Sequence, residues 1–348
     1  MNFNPFCLSS YLTFRYVVSE EQHWKSGVKP VFPASLRPPK VPVRTTPDID
    51  AYLRNSFTAD DRTGILLSGG IDSALLASYL PKGSKAYTIR FVAEGAVDES
   101  PMAARYAEAC GLAHTVVRVY WDDYCKHSRA LMEFKQSPIH AIEVALYRAA
   151  LAAKADGIET LVVGNGADST FGGMDKLLSR DWTLEEFKQR YTFVPPERVL
   201  RQPVSLSAYY EAYDCGDKPY DVQGFLKTVH GIGIIQSFEN AIHKTGCQVR
   251  APFEGMYLDA PLDLQRIRSG ESKYLLRALF RSRFPRFEVA EKIPFARPMD
   301  QWLRGWEGPS RPEFKTDVEW GQFSGDQRWL LHNLEAFLNL FDDERACV

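Results

Sequence analysis

The sequence predicts an α/β protein: a doubly wound parallel sheet followed by a helical C-terminal part. Three observations carry this. Short apolar runs at 64–67, 86–92, 115–119 and 160–163 are separated by stretches of helical periodicity, the pattern of parallel strands joined by crossover helices. Two of those runs end in glycine-rich turns that each carry an aspartate. In open α/β sheets ligands sit beyond the carboxyl ends of the strands, where those turns fall.

Taken in order, residues 1–60 form an arm with a lead-in helix, 61–308 the main domain and 309–348 a tail or cap. Leu8 to Val18 reads as a short helix or a strand, and six prolines between Pro30 and Pro47 argue against regular structure there. Asp48 to Phe57 reads as a helix with an Asp N-cap and Ile49, Tyr52, Leu53 and Phe57 on one face. The first strand, Gly64 to Leu67, runs into a turn and then a helix starting near Ile71. Ala86 to Val92 is the next strand, Asp98 to Cys110 a helix closed by Gly111, and Thr115 to Val119 a third strand. Pro138 to Ala155 reads as one long helix with Ile142, Ala145, Leu146, Ala149 and Ala153 on its apolar face, leading to the strand Thr160 to Val163. Residues 175–260 are helical and aromatic-rich, with Trp182, Phe187, Tyr191 and Tyr210 expected in a core. Ser272 to Phe280 and Trp329 to Phe341 are further helices.

The stretch Ser68-Gly69-Gly70-Ile71-Asp72-Ser73 has the composition of a phosphate cradle. Two glycines allow close backbone approach, the serines add hydroxyl donors, and the following helix offers unpaired N–H groups. Asp72 beside phosphate is repulsive unless a cation intervenes, which implies magnesium (Mg²⁺). The second turn, Gly164-Asn165-Gly166-Ala167-Asp168, brings Asp168 to the same edge of the sheet, where the two carboxylates make a partial shell for a hard cation. Each aspartate taken alone is equally readable as a helix N-cap. The Gly-Lys-Ser/Thr ending of a Walker A loop is absent.

The chain has 348 residues, 45% hydrophobic and 25% charged, with a formal net charge of −2. That composition is ordinary for a globular protein and gives no electrostatic footprint for nucleic acid. No apolar run is long enough to span a membrane and no leader pattern opens the chain, so the expected location is cytoplasmic. Six scattered cysteines without a Cys-x-x-Cys pair suggest reduced thiols.

Ser68 to Ser73, the Gly164 to Gly173 loop, Arg250-Ala251-Pro252-Phe253, Lys273 with Leu276-Arg277, and Lys292 within Glu291-Lys292-Ile293-Pro294-Phe295 occur in this order. Together they resemble the synthetase domain of asparagine synthetases, members of the ATP-pyrophosphatase superfamily, and of the β-lactam synthetases that share it. The resemblance covers roughly 50–305 and implies a Rossmann-like nucleotide fold. It implies ATP and Mg²⁺ as cofactors, with ATP split between its α and β phosphates and a substrate carboxylate adenylated. By matching position it implies that Ser68, Gly69, Gly70, Ser73 and Gly164 contact ATP or pyrophosphate, and that Asp72 and Asp168 hold the metal. Lys273 then contacts phosphate, and Lys292 stabilises the adenylation and amide-forming transition states.

Two departures are visible. Asn2 follows Met1, so the N-terminal cysteine of the family's glutaminase domain is missing; the nitrogen is then expected from free ammonia, an amine, or a separate amidotransferase or docking partner. Asn165 stands where asparagine synthetases have glutamate and β-lactam synthetases tyrosine. Phe171-Gly172-Gly173-Met174 leans toward the lactam-forming branch, which closes an amide within one molecule. A tRNA- or sulfur-transfer enzyme with the same loop, and a catalytically silent nucleotide-binding module, are the alternatives.

Overall fold

Alternate residues of the strands face two different helical layers. The computed structural model describes residues 3–33, 39–57, 62–289 and 297–342. In it β2 (Thr63–Leu66), β3 (Lys85–Phe91), β4 (Ala113–Val119), β5 (Thr160–Val162) and β6 (Gln248–Arg250) form one sheet in the order β4-β3-β2-β5-β6. Every pairing is parallel, with Ile65 of β2 opposite Ala86 of β3 on one side and Val162 of β5 on the other. The chain builds outward from β2 through β3 to β4, then returns to add β5 on the opposite flank. The order therefore reverses between β2 and β5, and a crevice opens at that switch point.

On one face lie α2 (Thr46–Ser56), α3 (Ile71–Ala77), α4 (Ser100–Cys110) and the helix Tyr274–Arg283, where Ile65, Val162, Leu76, Tyr106, Leu276 and Phe280 share a core. On the other lie α6 (Glu143–Ala155) and the helix Ile232–His243, where Tyr87, Leu161, Val163, Ala149, Ala153 and Ile242 pack together. Leu161, Val162 and Val163 thus alternate between the layers, as the two-residue period of a strand requires. Each fully buried Leu, Ile or Val contributes about 1.5–3 kcal/mol relative to exposure.

A separate aromatic core fills the region from Leu177 to Val229, with Phe187 stacked on Tyr220 at 4.5 Å between centroids. The helix α1 (Pro5–Phe14) packs with α5 (Trp121–Lys135) and the C-terminal helix Gly325–Leu340. Trp24 meets Phe337 at 4.8 Å there. No described helix is long and apolar enough to cross a membrane.

Several local expectations change. Thr45, not Asp48, caps α2; Asp48 is the third helical residue and returns its carboxylate to the Thr45 and Arg44 amides. The proline-rich arm does carry a strand, β1 (Val41–Val43), paired with β7 (Met256–Leu258). Pro42 is tolerated because a two-stranded pair leaves one edge of β1 without ladder bonds. The residues from Pro138 to Ile142 are not helical. Their amides are taken by side chains, Ile139 N–H donating to Asn333 Oδ1 at 2.7 Å and His140 N–H to Glu143 Oε1 at 2.6 Å, so α6 starts only at Glu143.

Candidate active site

The first loop leaves β2 at Leu66 and enters α3 through Gly70, the helix N-cap position, which makes no side-chain cap. Its hydroxyls fold the turn onto itself. Ser68 N–H donates to Ser73 Oγ at 3.0 Å, the two hydroxyls are 2.9 Å apart, and Gly70 N–H donates to Ser68 Oγ at 3.2 Å. Gly69 N–H donates to Glu99 Oε2 at 3.3 Å. Burial raises the Glu99 pKa, and that contact only partly opposes the shift. A carboxylate thus occupies one N–H of the glycine turn.

The second loop follows β5. Gly166 adopts φ +90°, and a Cβ there would lie 2.8 Å from the Glu254 nitrogen and the Phe253 carbonyl carbon, so only glycine fits. Gly166 holds the N-cap position of α7 (Ala167–Thr170), which leaves Asp168 inside the first turn rather than capping it. A Cβ on Gly164 would touch Asp72 Cβ at 3.4 Å and Ser73 N at 3.6 Å. These are ordinary contacts, so the loops after β2 and β5 meet here at van der Waals distance.

Lys273 enters between them from the start of the helix Tyr274–Arg283. It holds the left-handed conformation, φ +53°, and is 5% exposed. Its Nζ lies 2.5 Å from Asp72 Oδ2 and 2.7 Å from Asp168 Oδ1. Burial works against the ammonium, but the two carboxylates outweigh it and the pKa stands above the ordinary lysine value. A Cβ on Gly173 would collide with Asp168 Oδ1 and Lys273 Cε, so that glycine makes room for the pair.

Asp72 and Asp168 therefore converge on one cation. Among the described residues no group of three or more His, Cys, Asp or Glu forms a metal-ligand cluster. Two hard carboxylate oxygens suit Mg²⁺, which keeps water and phosphate as its remaining ligands. The donor set fits that ion, and Asp72 and Asp168 are the residues that would hold it.

The cluster opens into a cavity of about 630 Å³. Its lining includes Ser68 to Ser73, Asn165, Asp168 and Lys273, and also Val163 and the mutually packed Leu66, Ile89, Leu146 and Phe238. His140 also lines it. Ile142 N–H donates to His140 Nδ1 at 3.2 Å, so the neutral ring carries its proton on Nε2. Burial, then the charge of Arg297, pushes the imidazole pKa well below the ordinary value.

Of the residues singled out from sequence, Ser68, Gly69, Gly70, Asp72, Ser73, Gly164, Asp168 and Lys273 all border this cavity. Lys292 lies outside the described residues. Sequence reasoning missed Glu99 and His140. Nothing in Asp98-Glu99-Ser100-Pro101 beyond a helix start marks Glu99, and His140 was read as part of a helix.

A parallel sheet with two glycine turns and an Asp-Lys-Asp cluster at its switch point defines a doubly wound α/β domain with its candidate site at that switch point. Residues 49–217, just under half of the chain, match the family model described as Asparagine synthase. That segment is thus similar to the asparagine synthase family. Among curated proteins, Amidase chry2 of Gibberella zeae is 28% identical over 187 residues, covering 47% of this chain and 28% of that protein. The chain thus spans under a third of that relative's length.

Proposed function

We propose that this chain is an AMP- and pyrophosphate-forming carbon–nitrogen ligase. A substrate carboxylate oxygen bonds to the α-phosphorus of ATP and pyrophosphate leaves. An amine or ammonia nitrogen then bonds to the acyl carbon, AMP leaves, and the nitrogen loses a proton. The observation that carries the reading is the convergence of Asp72 and Asp168 on one cation beside the glycine turn.

In this reading Asp72 and Asp168 would hold magnesium, which would screen phosphate charge and stabilise the leaving pyrophosphate. The amides of Gly69 and Gly70 and the hydroxyls of Ser68 and Ser73 orient the phosphates, and nucleotide binding displaces the Glu99 carboxylate from Gly69. The apolar cluster of Leu66, Ile89, Leu146 and Phe238 in the cavity lining would take the flat adenine. Lys273 holds the two aspartates together, and with a metal between them its ammonium would be available to phosphate. Lys292 is assigned to the transition state on family resemblance, where a point charge in a dry site is worth several-fold more than in water. The nitrogen donor is a small amine or free ammonia, ahead of a partner amidotransferase, and the setting is the cytoplasm.

The test is pyrophosphate release and ATP–pyrophosphate exchange with purified chain, Mg²⁺ and a panel of acids and amines. Acid-dependent exchange is expected. ADP and phosphate as the sole products would overturn the proposal.

A further inference from the structure

The attacking nitrogen must shed a proton in the amide-forming step, and Asn165, in the lining of the first cavity, has no basic group to take it. A second cavity of about 1040 Å³ adjoins the first, and Ser272, Arg277 and Val289 line both. Gly173 lines the second cavity too, and a Cβ there would collide with Asp168 and Lys273, so the charged cluster lies directly behind this wall. Tyr191 and His230, both half-buried, face each other in the same lining. The Tyr191 hydroxyl is 2.7 Å from His230 Nδ1, although the two residues are 39 apart in sequence.

Two uncommon backbone conformations converge on that hydroxyl. His230 is the last residue of a π-helical turn, Leu226–His230, just before the helix Ile232–His243. Such turns are rare and occur mostly at functional sites. Arg15 closes α1 in the left-handed region, φ +68°, which is disfavoured for a residue with a side chain. Its guanidinium stacks 5.0 Å from the Phe193 centroid and acts on the Tyr191 phenol. Burial pushes the Tyr191 pKa up to about 12, and the Arg15 charge opposes that rise. The phenol therefore stays protonated near neutral pH, while Arg15 eases the negative charge that builds on its oxygen when a proton moves. Packing does not call for the hydroxyl: the ring stacks on Phe187 at 5.7 Å and meets the edge of Phe225 at 4.7 Å, contacts that phenylalanine would keep.

We infer that Tyr191 and His230 form the proton relay of the amide-forming step, with a small amine or ammonia entering through the second cavity. As the nitrogen bonds to the acyl carbon, its N–H bond breaks and the proton joins the Tyr191 oxygen. The phenolic proton passes to His230 Nδ1 in the same movement, so Tyr191 ends as it began and His230 becomes an imidazolium. That ion returns its proton to water after AMP has left. The step needs the resting tautomer with the ring proton on Nε2 and Nδ1 accepting from the Tyr191 hydroxyl. The inference rests on the ligase reading and adds the residues of its second half-reaction.

The test uses the full chain at neutral pH with ATP, Mg²⁺, one of aspartate, glutarate or benzoate, and ammonia or hydroxylamine as nucleophile. Acid-dependent ATP–pyrophosphate exchange reports adenylation alone; amide or hydroxamate formation reports the second step. In Tyr191→Phe, exchange should stay within about two-fold of the wild type while the turnover number for amide formation from ammonia falls about 100-fold or more, the size of one proton-transfer group. Hydroxylamine, which arrives neutral at this pH, should lose about ten-fold or less. His230→Asn keeps an acceptor for the Tyr191 hydroxyl but cannot hold a proton. A relay predicts the same loss there as in Tyr191→Phe, whereas a partner that merely fixes the ring predicts none. Should Tyr191→Phe fail to fold, His230→Asn decides. Wild-type amide formation in either variant, equal losses of exchange and amide formation, or a wild type that exchanges but makes neither amide nor hydroxamate would overturn the relay and leave adenylation standing. No exchange with any of the acids in the wild type would sink the ligase reading and the relay with it.

Discussion

Lys273 and Asp72 lie 201 residues apart in the chain and 2.5 Å apart in space. Asp168 closes the other side of the same ammonium at 2.7 Å. Replacing that cation leaves two carboxylates facing each other. Lys273→Met should lose about 2 kcal/mol in urea unfolding, less than a sealed ion pair because the Asp72 and Asp168 side chains are 21% and 39% exposed. Millimolar Mg²⁺ should raise the Tm of this variant more than that of the wild type, since metal then fills the ammonium's place. An identical response in both proteins would show that the two aspartates do not share a cation site.

Gly166 and Gly157 both hold positive φ, +90° and +83°, yet a Cβ on Gly157 meets nothing within 4 Å while one on Gly166 meets backbone at 2.8 Å. Gly157→Ala should cost only the conformational penalty, about 1–2 kcal/mol. Gly166→Ala should cost about 3 kcal/mol or more, since backbone cannot swing aside as a side chain does. Equal urea midpoints for the two variants would remove the close approach as the reason for glycine.

Much of this site was legible because strands and tight turns write themselves locally. The apolar runs and the glycine turns after β2 and β5 need only neighbouring residues, and parallel pairing follows from the helices between them. Asp72 and Asp168 were therefore readable as a pair, and the adjacency of β2 and β5 brings them together. Lys273 was legible only by resemblance, since its direction depends on a left-handed turn at a helix start that no local pattern announces. The segment from Pro138 to Ile142 misled for a related reason. The apolar spacing of Ile142, Ala145 and Leu146 extends a helical pattern backwards, but Asn333, 194 residues away, claims the Ile139 amide. Thr45 was passed over because Asp48 is an equally good capping residue by type, and only geometry separates the cap from the third helical position.

Lys135 and Glu143 form an ion pair at 2.6 Å with side chains 2% and 0% exposed. Glu143 also accepts from the His140 amide and from Asn240 Nδ2. Lys135→Met alone strands a buried carboxylate and should cost about 3–5 kcal/mol. Adding Glu143→Gln keeps an acceptor without the charge, so the double variant should recover about 2 kcal/mol relative to the sum of the singles. Strict additivity in a double-mutant cycle would deny the coupling.

The buried His140 imidazole resists protonation, with a folded pKa well below its ordinary 6.5. Between those two values the unfolded chain binds more protons than the folded one, so stability is complete above about pH 6.5 and falls as pH drops through the window. His140→Asn retains an acceptor for the Ile142 amide. Between pH 7 and pH 5 it should lose about 1–2 kcal/mol less unfolding free energy than the wild type. His114, His127 and His332, also lowered by burial, keep a residual slope of the same sign in both proteins. Parallel pH profiles would contradict the assignment.

The packing of α1 against the C-terminal helix sets a timetable for synthesis. Tyr11 meets Asn333 across 322 residues of sequence, so at 5–20 residues per second the first helix waits roughly 15–65 s for its partner to be made. During that interval its apolar side chains lack their native neighbours from Gly325–Leu340. The sheet domain in between can collapse while α1 waits, and this layer closes only once Gly325–Leu340 has been made. Nascent chains stalled before residue 325 should therefore engage chaperones through the exposed face of α1, because this contact joins two segments that the ribosome makes far apart in time.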